Sequence, residues 1–317
     1  MYNYIPNLET KEILPVTDEY SRIWSNQIAF FGDTMVLFDQ GRMTKREIRG
    51  YLTIFGSNSA IPLSRLTGMM GFGTEIYSSN DQTKYADIYN EKYNYPDLIT
   101  GRVMGVDLSD VSSYIARDLF YGFLPVSNNV IILASSPEFL DEFNRYSNWA
   151  DSFRFAGYNS RSELSEELSH NFEPNTWVNQ QLINYNDHGS RFFSGIYPDE
   201  VPELSNSLIV SMACSTCSYE STPYQDSRVI CAKAIRKGAL MYVGAVSPIE
   251  GGKLSSGGYN NYTENDVSRD IINNIYYTGY NLGQAFTAAY SASGGFTLIG
   301  DPTLDIKPPN KLKERLK

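Results

Sequence analysis

The chain has 317 residues, enough for one large core or two smaller ones, and its 42% hydrophobic and 20% charged content fits an ordinary globular protein. A formal charge of −10 excludes broad nucleic-acid binding, which needs clustered Lys and Arg; the one basic run is the tail at 307–317 (KPPNKLKERLK). No apolar run reaches the ~18 residues of a transmembrane helix, so no membrane span is expected.

Residues 28–38 (IAFFGDTMVLF) form an apolar burst broken at Gly32 and Asp33, one interrupted strand or two. Residues 51–56 (YLTIFG) read as a buried strand. The glycine run at 68–73 (GMMGFG) lacks a Lys–Ser/Thr pair and no strand leads into it, so it is not a phosphate loop. A strand is predicted over 96–103. A helix over 108–121 has Val111, Tyr114, Ile115, Leu119 and Phe120 near helical spacing, with Asp107 or Ser109 as its N-cap. Residues 122–129 (GFLPVSNN) are a connector and the best internal boundary.

A strand at 130–134 (VIILA) follows, with Ser135, Ser136, Pro137 and Glu138 at its end. Residues 139–180 read as mostly helical and irregular, the acidic run 162–170 (SELSEELSH) being an exposed helix end. Two apolar runs begin at Leu182 and Leu208. A helix over 226–237, a strand over 239–245, a Gly/Ser/Asn-rich surface loop at 250–262, a helix over 267–290 and a closing strand within 295–307 complete the chain. Strands alternating with helices imply a largely parallel α/β sheet.

The two central runs carry the chemistry. Residues 182–190 (LINYNDHGS) deliver His188 and Gly189, and residues 208–217 (LIVSMACSTC) deliver Ala213 and Cys214. Parallel strands ending side by side would bring an imidazole and a thiol together at the carboxyl edge of the sheet, where open α/β folds place ligands. That pair suffices for nucleophilic acyl transfer. Only two histidines exist, and His170 closes a polar run, so His188 is the candidate acid and base. Cys214 is the candidate nucleophile; the N–H groups of Gly189 and Cys214 are the candidate oxyanion donors.

Three clustered cysteines, Cys214, Cys217 and Cys231, are not a disulfide framework. A zinc site would need Cys214, Cys217, Cys231 and His188 together, without a second CxxC, and a thioredoxin-like pair would sit early in a small domain. Cys217 and Cys231 are read instead as small buried packing residues. No metal is assigned.

These residues resemble the gingipain family of caspase-like cysteine peptidases (clan CD), whose shared signature is one apolar strand ending in His-Gly and another ending in Ala-Cys. Matching motifs follow in order: YLTIFGSNSAIPL, YADIYNEKYNYPDLITGRV, LFYG, NYNDHGS, LIVSMACSTCSYE, GALMYVGAVSPI and IGDPTL, spanning roughly residues 45 to 305. The resemblance implies a three-layer α/β/α sandwich with a mostly parallel sheet in two consecutive subdomains. Residues 1–127 form the first, including a candidate masking segment at 1–45; residues 128–307 form the catalytic one, followed by the tail at 308–317.

The same resemblance carries over His188, Cys214 and Gly189, and makes Glu138 the acid that supports the histidine. It implies an endopeptidase acting on protein or peptide substrates, with Asp141 or Asp151 supplying an S1 carboxylate for a basic P1 residue. The chain departs from the family pattern at Asp187, where Gly is usual, and at Ser211, where an aspartate is usual; both positions are assigned to substrate binding. A pro-segment or regulatory partner is a further implication. No cofactor is implied beyond an optional structural calcium, and no EF-hand loop is present. A catalytically silent scaffold and a transpeptidase using the same dyad are the alternatives. Lacking a secretory signal, the chain is expected in the cytoplasm if complete and outside the cell if a mature fragment.

Overall fold

Strands with apolar residues at successive positions must be covered on both faces, and such strands build the centre of this protein. The computed structural model of the chain describes residues 37–38, 50–55, 89–90, 95–96, 98–105, 108–135, 153–154, 157–165, 174–190, 193, 196–218, 229–245, 264–290 and 296–306. The strands are β1 (Leu37–Phe38), β2 (Gly50–Phe55), β3 (Tyr89–Asn90), β4 (Tyr95–Pro96), β5 (Leu98–Val103), β6 (Asn129–Ser135), β7 (Asn159–Ser165), β8 (Leu182–Asn186), β9 (Leu208–Ser211), β10 (Met241–Ala245) and β11 (Phe296–Gly300). The helices are α1 (Leu108–Phe120), α2 (Ile230–Arg236), α3 (Glu264–Tyr276) and α4 (Leu282–Tyr290).

Nine of these strands form one sheet in the order β1-β2-β5-β11-β10-β9-β8-β6-β7, and β3 pairs with β4 separately. Every pairing in the large sheet is parallel except β1–β2 and β10–β11. The β10–β11 seam therefore divides the sheet. Strands β2, β5 and β11 run one way; β10, β9, β8, β6 and β7 run the other. Segments on both sides of residue 127 contribute to this single sheet.

Val130, Ile131, Ile132 and Leu133 of β6, Leu182 and Ile183 of β8, Ile209 and Val210 of β9 and Met241 and Val243 of β10 are all buried. On one face Trp177, Tyr185, Phe193 and Tyr242 form a chain of ring contacts, with the Tyr185–Phe193 centroids 4.1 Å apart. The Pro198–Glu200 turn beyond Phe193 touches α2, and α2 packs on α1. On the other face Ser268 of α3 donates to Asn184 of β8, and α3 packs on α4. This is the expected three-layer α/β/α arrangement.

Two expectations change. Residues 159–165, placed in a helical and irregular stretch, form β7, so the SELS of the supposed helix end lies in a strand. Its polar sequence suits a strand that, among the described strands, has a neighbour on one side only, and seven register pairs with β6 fix it there. The helix predicted over 267–290 is two, α3 and α4, parted by a turn in which Gly279 adopts φ +73° and the Asn281 side chain caps Gln284 N–H.

Candidate active site

The site begins with register. Strands β8 and β9 pair in parallel with Leu182 opposite Leu208 and Tyr185 opposite Ser211, a constant offset of 26 positions. The ladder runs one step further through Met212 N–H donating to Tyr185 C=O at 2.8 Å. His188 and Cys214 keep the same offset, each three residues past the last paired position. His188 and Cys214 thus follow the ends of neighbouring strands by the same number of residues, at the carboxyl edge of the sheet. His188 is exposed and Cys214 half-buried, so neither is enclosed in the core.

The turns beyond the strands touch. A Cβ placed on Gly189 would lie 2.7 Å from Ala213 Cβ and 3.0 Å from the Cys214 carbonyl oxygen. Only a residue without a side chain allows that approach. The Cys214 turn is itself sharply bent. Ser215 has φ +55°, a conformation costing an L residue on the order of 1 kcal/mol, and Ser218 N–H donates to Ser215 C=O at 3.0 Å. Cys217 N–H donates to Ala245 C=O at 2.8 Å, tying the turn to the end of β10. Thr216 Oγ1 donates to Ala213 C=O at 3.3 Å and lies 3.4 Å from Ser211 Oγ. Gly244 makes room for it: a Cβ there would stand 2.8 Å from Thr216 Oγ1.

Asp187 and Ser211, assigned to substrate binding, are both buried, at 2% and 0% exposure. The Asp187 carboxylate accepts from the His188 N–H at 2.5 Å and from the Tyr185 hydroxyl at 3.1 Å. Ser211 faces Thr216 beneath the nucleophile turn. These two side chains are engaged inside the fold and do not line an open groove. Glu138, Asp141, Asp151 and His170 lie outside the described residues.

Cys217 and Cys231 are buried, and no disulfide joins the three cysteines. Burial, followed by the neighbouring Cys217 and Cys231, holds the Tyr242 hydroxyl well above its ordinary range, against the lowering effect of hydrogen bonds with Thr216 and Ser211. Sequence reasoning missed Tyr185. The available signal was its place two residues before Asp187, at the end of the same apolar run. Among the described residues no helix is long and apolar enough to cross a membrane.

Among solved structures the chain is similar to two of the Saccharomyces cerevisiae separase–securin complex. The 3.0 Å structure shares 13% identity over 65% of this chain and 14% of that one, with a TM-score of 0.46. The 2.6 Å structure shares 14% identity over 66% of this chain and 14% of that one, also with a TM-score of 0.46. This chain thus spans only a small part of either separase chain. No curated protein sequence matches it. The sequence model of peptidase family C25, however, matches residues 34–307, which include every strand of the sheet and both strand ends described above. The chain belongs to peptidase family C25, the gingipain family of clan CD cysteine peptidases.

Proposed function

We propose that the chain is a cysteine endopeptidase in which Cys214 is the nucleophile and His188 the acid and base. The observation that carries this is the shared offset by which an exposed His188 and a half-buried Cys214 follow the ends of adjacent parallel strands. The Cys214 thiolate attacks the scissile carbonyl, forming the C–S bond as the C–O π pair moves onto oxygen. The N–H groups of Gly189 and Cys214 receive that oxyanion, each worth about 2.7–4 kcal/mol in such sites. Collapse breaks the C–N bond as the His188 imidazolium gives its proton to the leaving amine. Water, deprotonated by His188, then hydrolyses the thioester and restores the thiol. Glu138 supports the imidazole, and Asp141 or Asp151 furnishes the carboxylate of an S1 pocket for a basic P1 side chain.

The test is a set of fluorogenic peptides varied at P1, assayed with wild type, Cys214→Ala and Cys217→Ala. Cys214→Ala is expected to lower kcat/KM by at least about 10⁴-fold with an unchanged circular dichroism spectrum, and Cys217→Ala to retain activity. A Cys217→Ala variant as inactive as Cys214→Ala overturns the assignment of the nucleophile. A flat response across P1 overturns the pocket. Peptide ligation in place of cleavage when an amine acceptor is added would redirect the reading to transpeptidation.

A further inference from the structure

The His188–Gly189 peptide is gripped from inside the sheet. Asp187 Oδ1 accepts the His188 N–H at 2.5 Å, Asp187 Oδ2 accepts the Tyr185 hydroxyl at 3.1 Å, and the same hydroxyl lies 3.4 Å from the His188 carbonyl oxygen. Both side chains are buried, Tyr185 at 0% and Asp187 at 2%. A carboxylate at that depth is tolerated only where hydrogen-bond donors replace its water. Here those donors are the peptide that carries the imidazole and the ring beneath it. The two residues meet because the chain bends at Asp187, just past the end of β8, and brings its carboxylate onto the Tyr185 hydroxyl.

The geometry points to a purpose for this clamp. No described peptide bond is cis, and in a trans peptide the C=O and the following N–H point in opposite directions. Turning the His188 C=O inward to Tyr185 turns the Gly189 N–H the other way. Gly189 also pairs with Phe193 in an isolated antiparallel bridge, a second hold on the same segment. The Gly189 backbone also lies against the Cys214 turn, so closely that a Cβ on it would come within 3.0 Å of the Cys214 carbonyl oxygen. An oxyanion donor has to be aimed before the reaction, because a donor that must reorient as charge develops loses most of its value.

We propose that Tyr185 and Asp187 are positioning residues that set the His188–Gly189 peptide plane and so aim the Gly189 N–H at the developing oxyanion. This rests on the peptidase reading above. Asp187 stands where the family commonly has glycine, so this chain fixes with two side chains a peptide that glycine would leave free to turn.

The experiment compares wild type with Tyr185→Phe, which removes one hydroxyl, and Asp187→Asn, which keeps the size and the acceptor for the His188 N–H. Three readouts separate aiming from packing: kcat and KM on the best peptide, inhibition by the matching peptide aldehyde, and the rate of Cys214 alkylation by iodoacetamide. The aldehyde adduct carries an oxyanion; alkylation forms none. For Tyr185→Phe we expect kcat to fall on the order of 10-fold, aldehyde inhibition to weaken in parallel, and KM and alkylation to stay within about 2-fold. Asp187→Asn is expected to move the same two readouts in the same direction, and it stands as the test if Tyr185→Phe does not fold. Unchanged kcat in both folded variants overturns the proposal, as does a fall in alkylation equal to the fall in kcat. A wild type that neither cleaves any peptide nor is alkylated at Cys214 overturns the peptidase reading itself, and the clamp with it, before any variant is compared.

Discussion

The two ends of the sheet hold polar residues in opposite ways. At the carboxyl ends of β8 and β9, His188 is exposed and Cys214 half-buried, and the polar groups beneath them serve the backbone. At the far end, where β11 runs out, Asp301 is only 8% exposed and sits in a closed network. Its N–H donates to the Tyr114 hydroxyl at 2.6 Å, that hydroxyl donates to Leu240 C=O at 3.0 Å, and Thr303 donates to its carboxylate through N–H and Oγ1, each at 2.9 Å. Asp118 of α1 shares a hydrogen bond with it. Both ends are strand termini rich in titratable groups. One leaves an imidazole and a thiol accessible to solvent; the other spends its groups on joining α1 to the sheet. Chemical capability at a strand end is thus no guide to function until access is known.

The sharpest way to break that contrast, after the loss expected for Cys214→Ala, is Gly189→Ala. The added methyl meets Ala213 and Cys214 at 2.7 and 3.0 Å, and one of the two turns must move. We expect kcat/KM to fall about 10²-fold and stability to fall by about 1–3 kcal/mol, read from kinetics and denaturant titration. Full activity in this variant would mean that the two turns are not held in contact during catalysis.

Asp118→Asn addresses the closed end. The Asp118 carboxyl is pushed up to about 8 by burial first, then by the charge of Asp301 and their shared hydrogen bond. An unfolded Asp titrates near ~3.9, so between those values the native state holds a proton that the unfolded chain has released. Stability from this group is present in full below about pH 4, declines as pH rises, and is gone above about pH 8. Asparagine imitates the protonated form throughout. The variant should therefore gain in Tm over wild type as pH rises from about 5 to about 8, with peptidase activity unchanged. A gap in Tm that stays constant with pH would remove the shared proton from the account. The smallest effect belongs to the surface: Lys237→Ala breaks a 2.9 Å pair with Glu203, whose side chain is 76% exposed, and should change stability by less than about 1 kcal/mol by the same titration.

Much of this was written in the apolar runs. VIILA, LINYN, LIVS and MYVGA read as short buried strands between loop residues, and each appears within one; His188 and Cys214 drew attention because each follows such a run. The edge strand β7 was illegible because NSRSELS carries neither the apolar content nor the alternation of a strand, and only β6 beside it makes it one. The break between α3 and α4 was hidden by continuous helical periodicity on both sides of Gly279. The inward role of Asp187 was hidden for another reason. Whether a carboxylate beside a histidine faces solvent or the sheet depends on the tyrosine two residues earlier, and a motif comparison does not weigh that partner.

The late arrival of β11 has a consequence for how the protein is made. Residues 296–300 sit between β5 and β10, and Thr53 reaches Asp301 across 248 positions of chain. As the polypeptide leaves the ribosome, the half-sheet that bears the thiol is complete once β10 has emerged, yet among the described strands none pairs it with β5 until about fifty more residues have followed. A stalled or clipped product ending before Phe296 would carry every residue of the proposed dyad and lack the strand that stitches its two halves together.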